Sequence, residues 1–366
     1  MSRTVKYLLS AALVCAAAGI LIEPAAVSEA VKGSITGCLE VVIPSLFAFT
    51  VLAVYMQKSG LYRAALRPLT IPLSKLFRLP EELCAVYLLA NIGGYPVGAK
   101  LLCGLVKSGR LSRKNAGRML CFCYGSGPSF VIGTAGMQVF KSAAVGGILF
   151  ASCFLSSLII AAVVCRTGER ITLLGGPEEL GFDLSADCFV HSADAGARVM
   201  YTVCVMATLF SAMTALLDAF EITGLLARLP ELLGAGDNSR GIIAAVLEVT
   251  RVRELHSSGA AVPVCAGLLS FGGVCVLMQV AALSGGELPI KPLVISRFPA
   301  AALSALLAAP AAGIISGAAV EASSPNTAQT EVFSVNSGMS VCVLFMAGIL
   351  IYTVEKERTA VQKSRQ

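Results

Sequence analysis

"NIGGYPVGAK", Asn91 to Lys100, follows the apolar run "CAVYLLA" and places three glycines and a proline where a hydrophobic helix ought to continue. A second break lies downstream in "CFCYGSGPSFVIGTAG", Cys121 to Gly136, again with Gly-x-Gly-Pro inside an apolar window. The other half of the chain carries two more. "AAVLEVTRVREL", Ala244 to Leu255, sets Glu248, Thr250, Arg251 and Arg253 in apolar company, and "LLSFGGVCVLMQ", Leu268 to Gln279, has a Gly-Gly inside a hydrophobic run. The preceding elements also rhyme: "SGLYRAALRPL" from Ser59 and "ITGLLARLPEL" from Ile222 each follow an apolar span and precede a broken one. Amides and carbonyls freed at a break cannot face lipid, so such breaks persist only where protein, water or a ligand satisfies them. Paired interruptions in two halves point to a transporter site. The half-helix that starts after a break directs its amide ends at the gap, which suits a carboxylate or phosphate near the bilayer midplane. For any single break the alternative is a kinked helix that packs through small residues.

Composition agrees with a bilayer setting. Of the 366 residues, 56% are hydrophobic and 14% charged, and mean hydropathy is +0.80, far from the balance of a soluble domain. The fold class that follows is an all-α polytopic membrane protein with two related halves, long enough for about eight spans of roughly 20 residues. The net charge of +6 sits mostly in short loops between apolar runs, which fits the positive-inside rule rather than nucleic acid. Expected spans are Tyr7–Ile22, Ile43–Gln57, Ser142–Cys165, Val199–Leu217, Ala260–Leu283, Pro299–Ser316 and Ser340–Val354. The first of these, behind Arg3 and Lys6, reads as an uncleaved anchor rather than a cleaved signal. The basic tail "EKERTAVQKSRQ" places the C-terminus in the cytoplasm with the N-terminus, Lys291 and Arg297 mark an inward loop, and Gly317–Phe333, without Lys or Arg, faces the other side. Two basic amphipathic connections, Lys58–Pro80 and Lys107–Arg118, suit the cytoplasmic surface. The expected organisation is one membrane domain over 1–366, with a first half over 40–165, a polar linker over 166–198, a second half over 199–316, and a last span and tail over 334–366.

Enzyme chemistry finds little purchase, and no cofactor is implied. The thirteen cysteines include no Cys-x-x-Cys pair, and most read as small buried hydrophobes. His191 and His256 have no metal-ligand companion, and "GAGD", Gly234 to Asp237, falls in a polar turn without a second aspartate motif. The glycines form no Gly-Lys-Ser/Thr phosphate loop, so ATP-driven pumping by this chain alone is not expected.

The motifs "GGYPVGAKLL", "GPSFVIGTAG", "LEVT" and "SFGGVCVLMQ", in this order over roughly Glu40 to Tyr352, resemble the YlbJ-like sporulation integral membrane proteins of the nucleoside-recognition, or Gate-domain, group. The resemblance implies a plan similar to concentrative nucleoside transporters, with re-entrant hairpins and broken helices. It implies dipicolinic acid as cargo, moved toward the forespore across the outer forespore membrane. Nucleosides or another small metabolite, or a non-transporting scaffold role, remain the alternatives. Partners implied are a small anion and the lipid bilayer, with other sporulation membrane proteins and a second copy of the chain as further candidates. The chain departs from the family pattern at the second break, where Tyr124 and Gly125 stand near an expected asparagine, and after "LEVT", where "RVRELHSSG" replaces an expected glycine.

A small planar dianion needs cationic or amide donors deep in the protein, and Lys100, Arg251 and Arg253 are the candidates. The remaining site residues expected at the breaks are Asn91, Gly93, Gly94, Tyr95, Ser126, Ser129, Thr250, Ser270, Gly272, Gly273 and Gln279. Glu248, one turn before Arg251, is expected to hold a coupling proton or cation or, slightly favoured, to pair with that arginine.

Overall fold

Three of the helices begin at a serine that caps them. In the computed structural model, which describes residues 3–175 and 182–313, the hydroxyls of Ser112, Ser142 and Ser185 accept from the amides of Asn115, Val145 and Cys188 at 3.2, 3.3 and 3.1 Å. Each bond satisfies an amide that the first turn leaves orphaned. Every regular element among the described residues is a helix. The expected last span Ser340–Val354, the segment Gly317–Phe333 and the basic tail lie outside the described residues.

After α1 (Arg3–Ile22) comes α2, a continuous 36-residue helix from Pro24 to Ser59 with one widened turn at Cys38–Val42. It starts 19 residues before the expected span because Glu29, Lys32 and Glu40 lower the hydropathy of a segment that is helical all the same. The amphipathic connection follows as a short turn at Tyr62–Ala65 and α3 (Arg67–Phe77). Next come α4 (Glu81–Gly93) and α5 (Tyr95–Lys107). At 13 residues each, they are about 20 Å long, short of the roughly 30 Å hydrocarbon core. The chain reverses between them at Gly94, whose φ of 93° suits glycine. The Ala90 methyl then lies 3.1 Å from where a Cβ at Gly98 would sit, whereas residues eight apart on a straight helix are about 12 Å apart. This pair is a helical hairpin, its buried faces spread over most of both arms.

Helix α6 (Arg113–Leu120) ends in an irregular stretch to Gly127 and resumes as Pro128–Phe130 and a π-helix, Val131–Val139. Helix α7 (Ala143–Arg166) is closed by Arg118, whose guanidinium donates to the carbonyls of Val164 and Thr167 at 2.7 Å each. The chain continues with a long helix α8 (Ala186–Ala219), an amphipathic α9 (Ile222–Leu232), a short α10 (Ser239–Leu247) with a 3-10 turn at Val249–Glu254, a broken pair α11 (Ala261–Phe271) and α12 (Gly273–Ser284), and α13 (Lys291–Ala308).

Five of these helical stretches are long and apolar enough to cross a membrane. The chain is a multi-pass membrane protein. The broken stretch Ala261–Ser284 is its centre, with 67% of its apolar window buried against 28–39% for the others, whose outer faces carry Tyr201, Leu209, Phe298 and Leu306 toward lipid.

Two expectations are corrected here. The polar segment Arg166–Arg198 is not a linker throughout, because α8 begins at Ala186. Its polar residues, among them Asp194 and Arg198 paired at 2.9 Å, stand on an exposed helical face. Arg297 does not mark a loop: it lies within α13, 2% exposed.

Candidate functional site

All four interruptions meet. Gly94 of the first break and Gly127 of the second lie against each other, and Gly273 of the fourth packs on Val249 and Ala245 of the third. The carbonyls freed at the end of α11 are each claimed by a side chain from elsewhere. The Tyr95 hydroxyl donates to Leu269 O at 2.5 Å, the Tyr124 hydroxyl to Phe271 O at 3.3 Å, and Arg297 Nη1 to Ser270 O at 3.2 Å. The same guanidinium donates to the carbonyls of Tyr124 and Cys121 at the second break and stacks 4.6 Å from the Tyr124 ring centre. One buried arginine thus ties both halves together through carbonyls that no helix can satisfy.

Asn91 belongs to this junction too. Its Nδ2 donates to Tyr87 O at 2.9 Å and Phe122 O at 3.3 Å, and its Oδ1 lies against Gly125. The amide that the family pattern led one to expect at the second break reaches it from the hairpin. Gly272, at φ 84°, leaves the space that the Tyr124 hydroxyl fills. The Ser126 hydroxyl is buried with no hydrogen-bonding partner among the described residues, Ser129 is half-buried, and Gln279 donates to Cys275 Sγ at 3.3 Å.

The open space lies beside this junction, at the third break. A cavity of about 430 Å³ is bounded by α2, α8, the π-helix and the 3-10 turn, with Gly33, Phe130 and Thr134 among its walls. Six charged side chains line it: Glu29, Asp218, Glu248, Arg251, Arg253 and Glu254. Glu248 leaves the helix in an extended conformation, φ −143° and ψ 110°. Its carboxylate accepts from Thr250 N at 3.0 Å and Thr250 Oγ1 at 2.5 Å, capping the 3-10 turn. Arg251 is held by Glu254 at 2.7 Å and Asp218 at 3.6 Å.

The expected Glu248–Arg251 ion pair is therefore corrected: Arg251 turns to Asp218 and Glu254, while Glu248 turns to Thr250. The unwound backbone explains it, because residues three apart share a face only on a regular helix. Of the expected site residues, Glu248, Thr250 and Arg251 line this cavity, as does the candidate cation Arg253. Asn91, Gly94, Tyr95, Ser126, Ser270, Gly272 and Gly273 stand in or beside the sealed junction, and Gly93, Ser129 and Gln279 do not line the cavity either. Lys100 is half-buried on α5 and does not line the cavity. The sequence reading missed Glu29, Asp218, Glu254 and Arg297. For Arg297 a signal existed: Pro292 at the first turn of a helix places residue 297 more than a turn inside it.

Comparison with known proteins finds a partial match. The sporulation integral membrane protein YlbJ of Bacillus subtilis (strain 168) is 30% identical over 156 residues, 42% of this chain and 38% of that protein. The aligned region spans less than half the length of this relative. No family model matches the chain, and no solved structure matches it significantly. The match supports the YlbJ-like resemblance over the aligned part.

Proposed function

We propose that the chain is a membrane transporter for a small organic anion and works in sporulation, as the name of its relative implies for that protein. Dipicolinic acid is the cargo, moved across the outer forespore membrane by alternating access, and the paired broken helices favour a plan similar to that of the concentrative nucleoside transporters. The observation that carries the reading is the cavity at the third break, where two arginines and an unwound turn face a space of about 430 Å³, within the range of small-molecule sites.

Arg251 is the central group. Its two carboxylate partners are part-exposed, with Asp218 46% and Glu254 38% accessible, so an incoming carboxylate competes for the guanidinium on nearly equal terms. Bidentate recognition by arginine then gives orientation as well as charge. Arg253, exposed at the rim, supplies a second contact for a dianion. Glu248, buried and with its carboxylate bonded among the described residues to Thr250 of its own turn, is the residue for a coupling proton or cation.

The test is uptake of labelled dipicolinate into sealed proteoliposomes, beside a nucleoside control and the Arg251→Ala variant. Saturable dipicolinate uptake that the variant loses is the expected result. Uptake of the nucleoside alone would keep the transporter and remove the cargo. Neither entering, with folded protein, would leave the scaffold role standing.

A further inference from the structure

Two thiols meet where α2 and α8 wall the cavity. These helices run antiparallel, and their facing residues follow one another turn by turn. The Ser34 hydroxyl donates to the Thr208 hydroxyl at 3.4 Å. One turn on, the side chains of Cys38 and Cys204 are in contact. One turn further, Val42 packs with Val199, Met200 and Val203. A step of one turn up α2 is thus a step of one turn down α8, which sets the two cysteines directly opposite each other. The helices also approach closely, since a Cβ at Gly196 of α8 would stand 2.6 Å from Val51 Cγ2 of α2. Both cysteines are free thiols.

Two further observations separate this pair from ordinary buried cysteines. Cys38 opens the widened turn Cys38–Val42, the kind of local distortion that recurs at functional sites. It also lines the cavity, so a small solute there can reach its sulfur. Cys84, Cys123 and Cys165, by contrast, are buried in the main core, and none of them lines this cavity. A disulfide needs Cα atoms within about 7 Å and Cβ atoms turned toward each other, a demand that opposed residues on closely packed helices can meet. The geometry points to a reversible disulfide between Cys38 and Cys204 that pins α2 to α8 at the cavity wall. The oxidant is a low-molecular-weight disulfide entering the cavity. The Cys38 thiol loses its proton and attacks one sulfur of that molecule; the small S–S bond breaks, and the departing thiolate takes up the proton. The Cys204 thiol, deprotonated in turn, attacks the Cys38 sulfur, forms the protein disulfide and expels the second small thiolate, which takes up the second proton. Two protein thiols are thereby oxidised and one small disulfide is reduced to two thiols; excess small thiol reverses both steps. Because α2 and α8 both bound the cavity, the bond also fixes that wall, and its effect on uptake rests on the transporter reading proposed above.

The experiment treats the folded full chain in detergent with dipyridyl disulfide, blocks the remaining thiols with N-ethylmaleimide, and maps the digested protein by mass spectrometry. The expected product is a peptide pair joined through Cys38 and Cys204 that separates on reduction with dithiothreitol. Cys204→Ser should instead stop at the first step, with the pyridyl group retained on Cys38, and Cys38→Ser should give no joined pair. A parent protein in which Cys38 keeps the pyridyl group, stays unmodified or joins a different cysteine would overturn the proposal, and this holds whether or not either variant folds. Dipicolinate uptake into proteoliposomes is read separately and should be lost in the joined protein and return with dithiothreitol. Joined protein that transports as the reduced protein does would overturn the pinning of the wall. Reduced protein that takes up no dipicolinate would remove the transporter reading, while the joined peptide still decides the bond.

Discussion

The junction at the broken helices and the cavity beside it are built from the same kind of irregular backbone, yet they treat their polar groups in opposite ways. At the junction, the carbonyls of Cys121, Tyr124, Leu269, Ser270 and Phe271 are all taken by side chains, from Tyr95, Tyr124 and Arg297. At the cavity, the 3-10 turn leaves charged side chains along an open wall. A broken helix in a membrane protein is thus evidence of a polar partner, not of a ligand. Which break serves a ligand depends on whether the protein has already supplied the partner.

The sharpest way to break this contrast is Arg297→Leu. It leaves three buried carbonyls unpaired at roughly 1–3 kcal/mol each, a loss of at least about 3 kcal/mol. Thermal unfolding in detergent should show a lowered midpoint or no folded protein, and Arg297→Lys should recover less than half of the loss because one ammonium cannot span carbonyls of two segments. A midpoint near the parent's would mean that the junction is not sealed as described.

Gly272→Ala comes next. It adds a Cβ at φ 84°, pointing at the Tyr124 hydroxyl, for an expected cost of about 2–4 kcal/mol. Combining it with Tyr124→Phe should return part of that cost, and simple additivity of the two changes would remove the contact from the account.

On the cavity side, Arg251→Ala should cost about 1 kcal/mol or less in stability, since its partners are part-exposed, while abolishing dipicolinate uptake. A variant that unfolds, or one that transports normally, would erase the difference between the two regions.

The smallest effect belongs to the surface pair Lys114–Glu169, 2.9 Å apart with both side chains exposed. The hydrogen bond and charge of Lys114 hold the Glu169 carboxyl below its ordinary range. Any stability it adds is present above the unfolded carboxyl's titration and fades as pH falls through the lower, folded one. Solvent screening makes that contribution small, so Lys114→Ala should leave the midpoint unchanged at neutral pH.

Much of this was legible along the chain. Ser142–Cys165 and Ala260–Leu283 match Ala143–Arg166 and Ala261–Ser284 within a residue at each end, because an apolar run of bilayer length has few other options. The breaks near Gly94, Gly127, Glu248 and Gly272 were visible because glycine and charge are conspicuous inside such runs. Arg297 was misread, since hydropathy averages over a window and places any charge at the edge of an apolar segment. Lys100 looked equivalent to Arg251 on composition, although one stands on α5 away from the cavity and the other lines it beside Asp218.

What the sequence by itself determined is the helical, membrane-spanning plan and the positions at which its helices fail, since both depend on local hydropathy and backbone freedom. Only the tertiary structure decided which failures are sealed and which stay open. That outcome rests on residues far apart in the chain, Arg297 reaching Cys121 across 176 positions and Tyr95 reaching Leu269 across 174. A buried carbonyl is satisfied by whatever donor the fold brings within about 3 Å, and no local pattern names that donor.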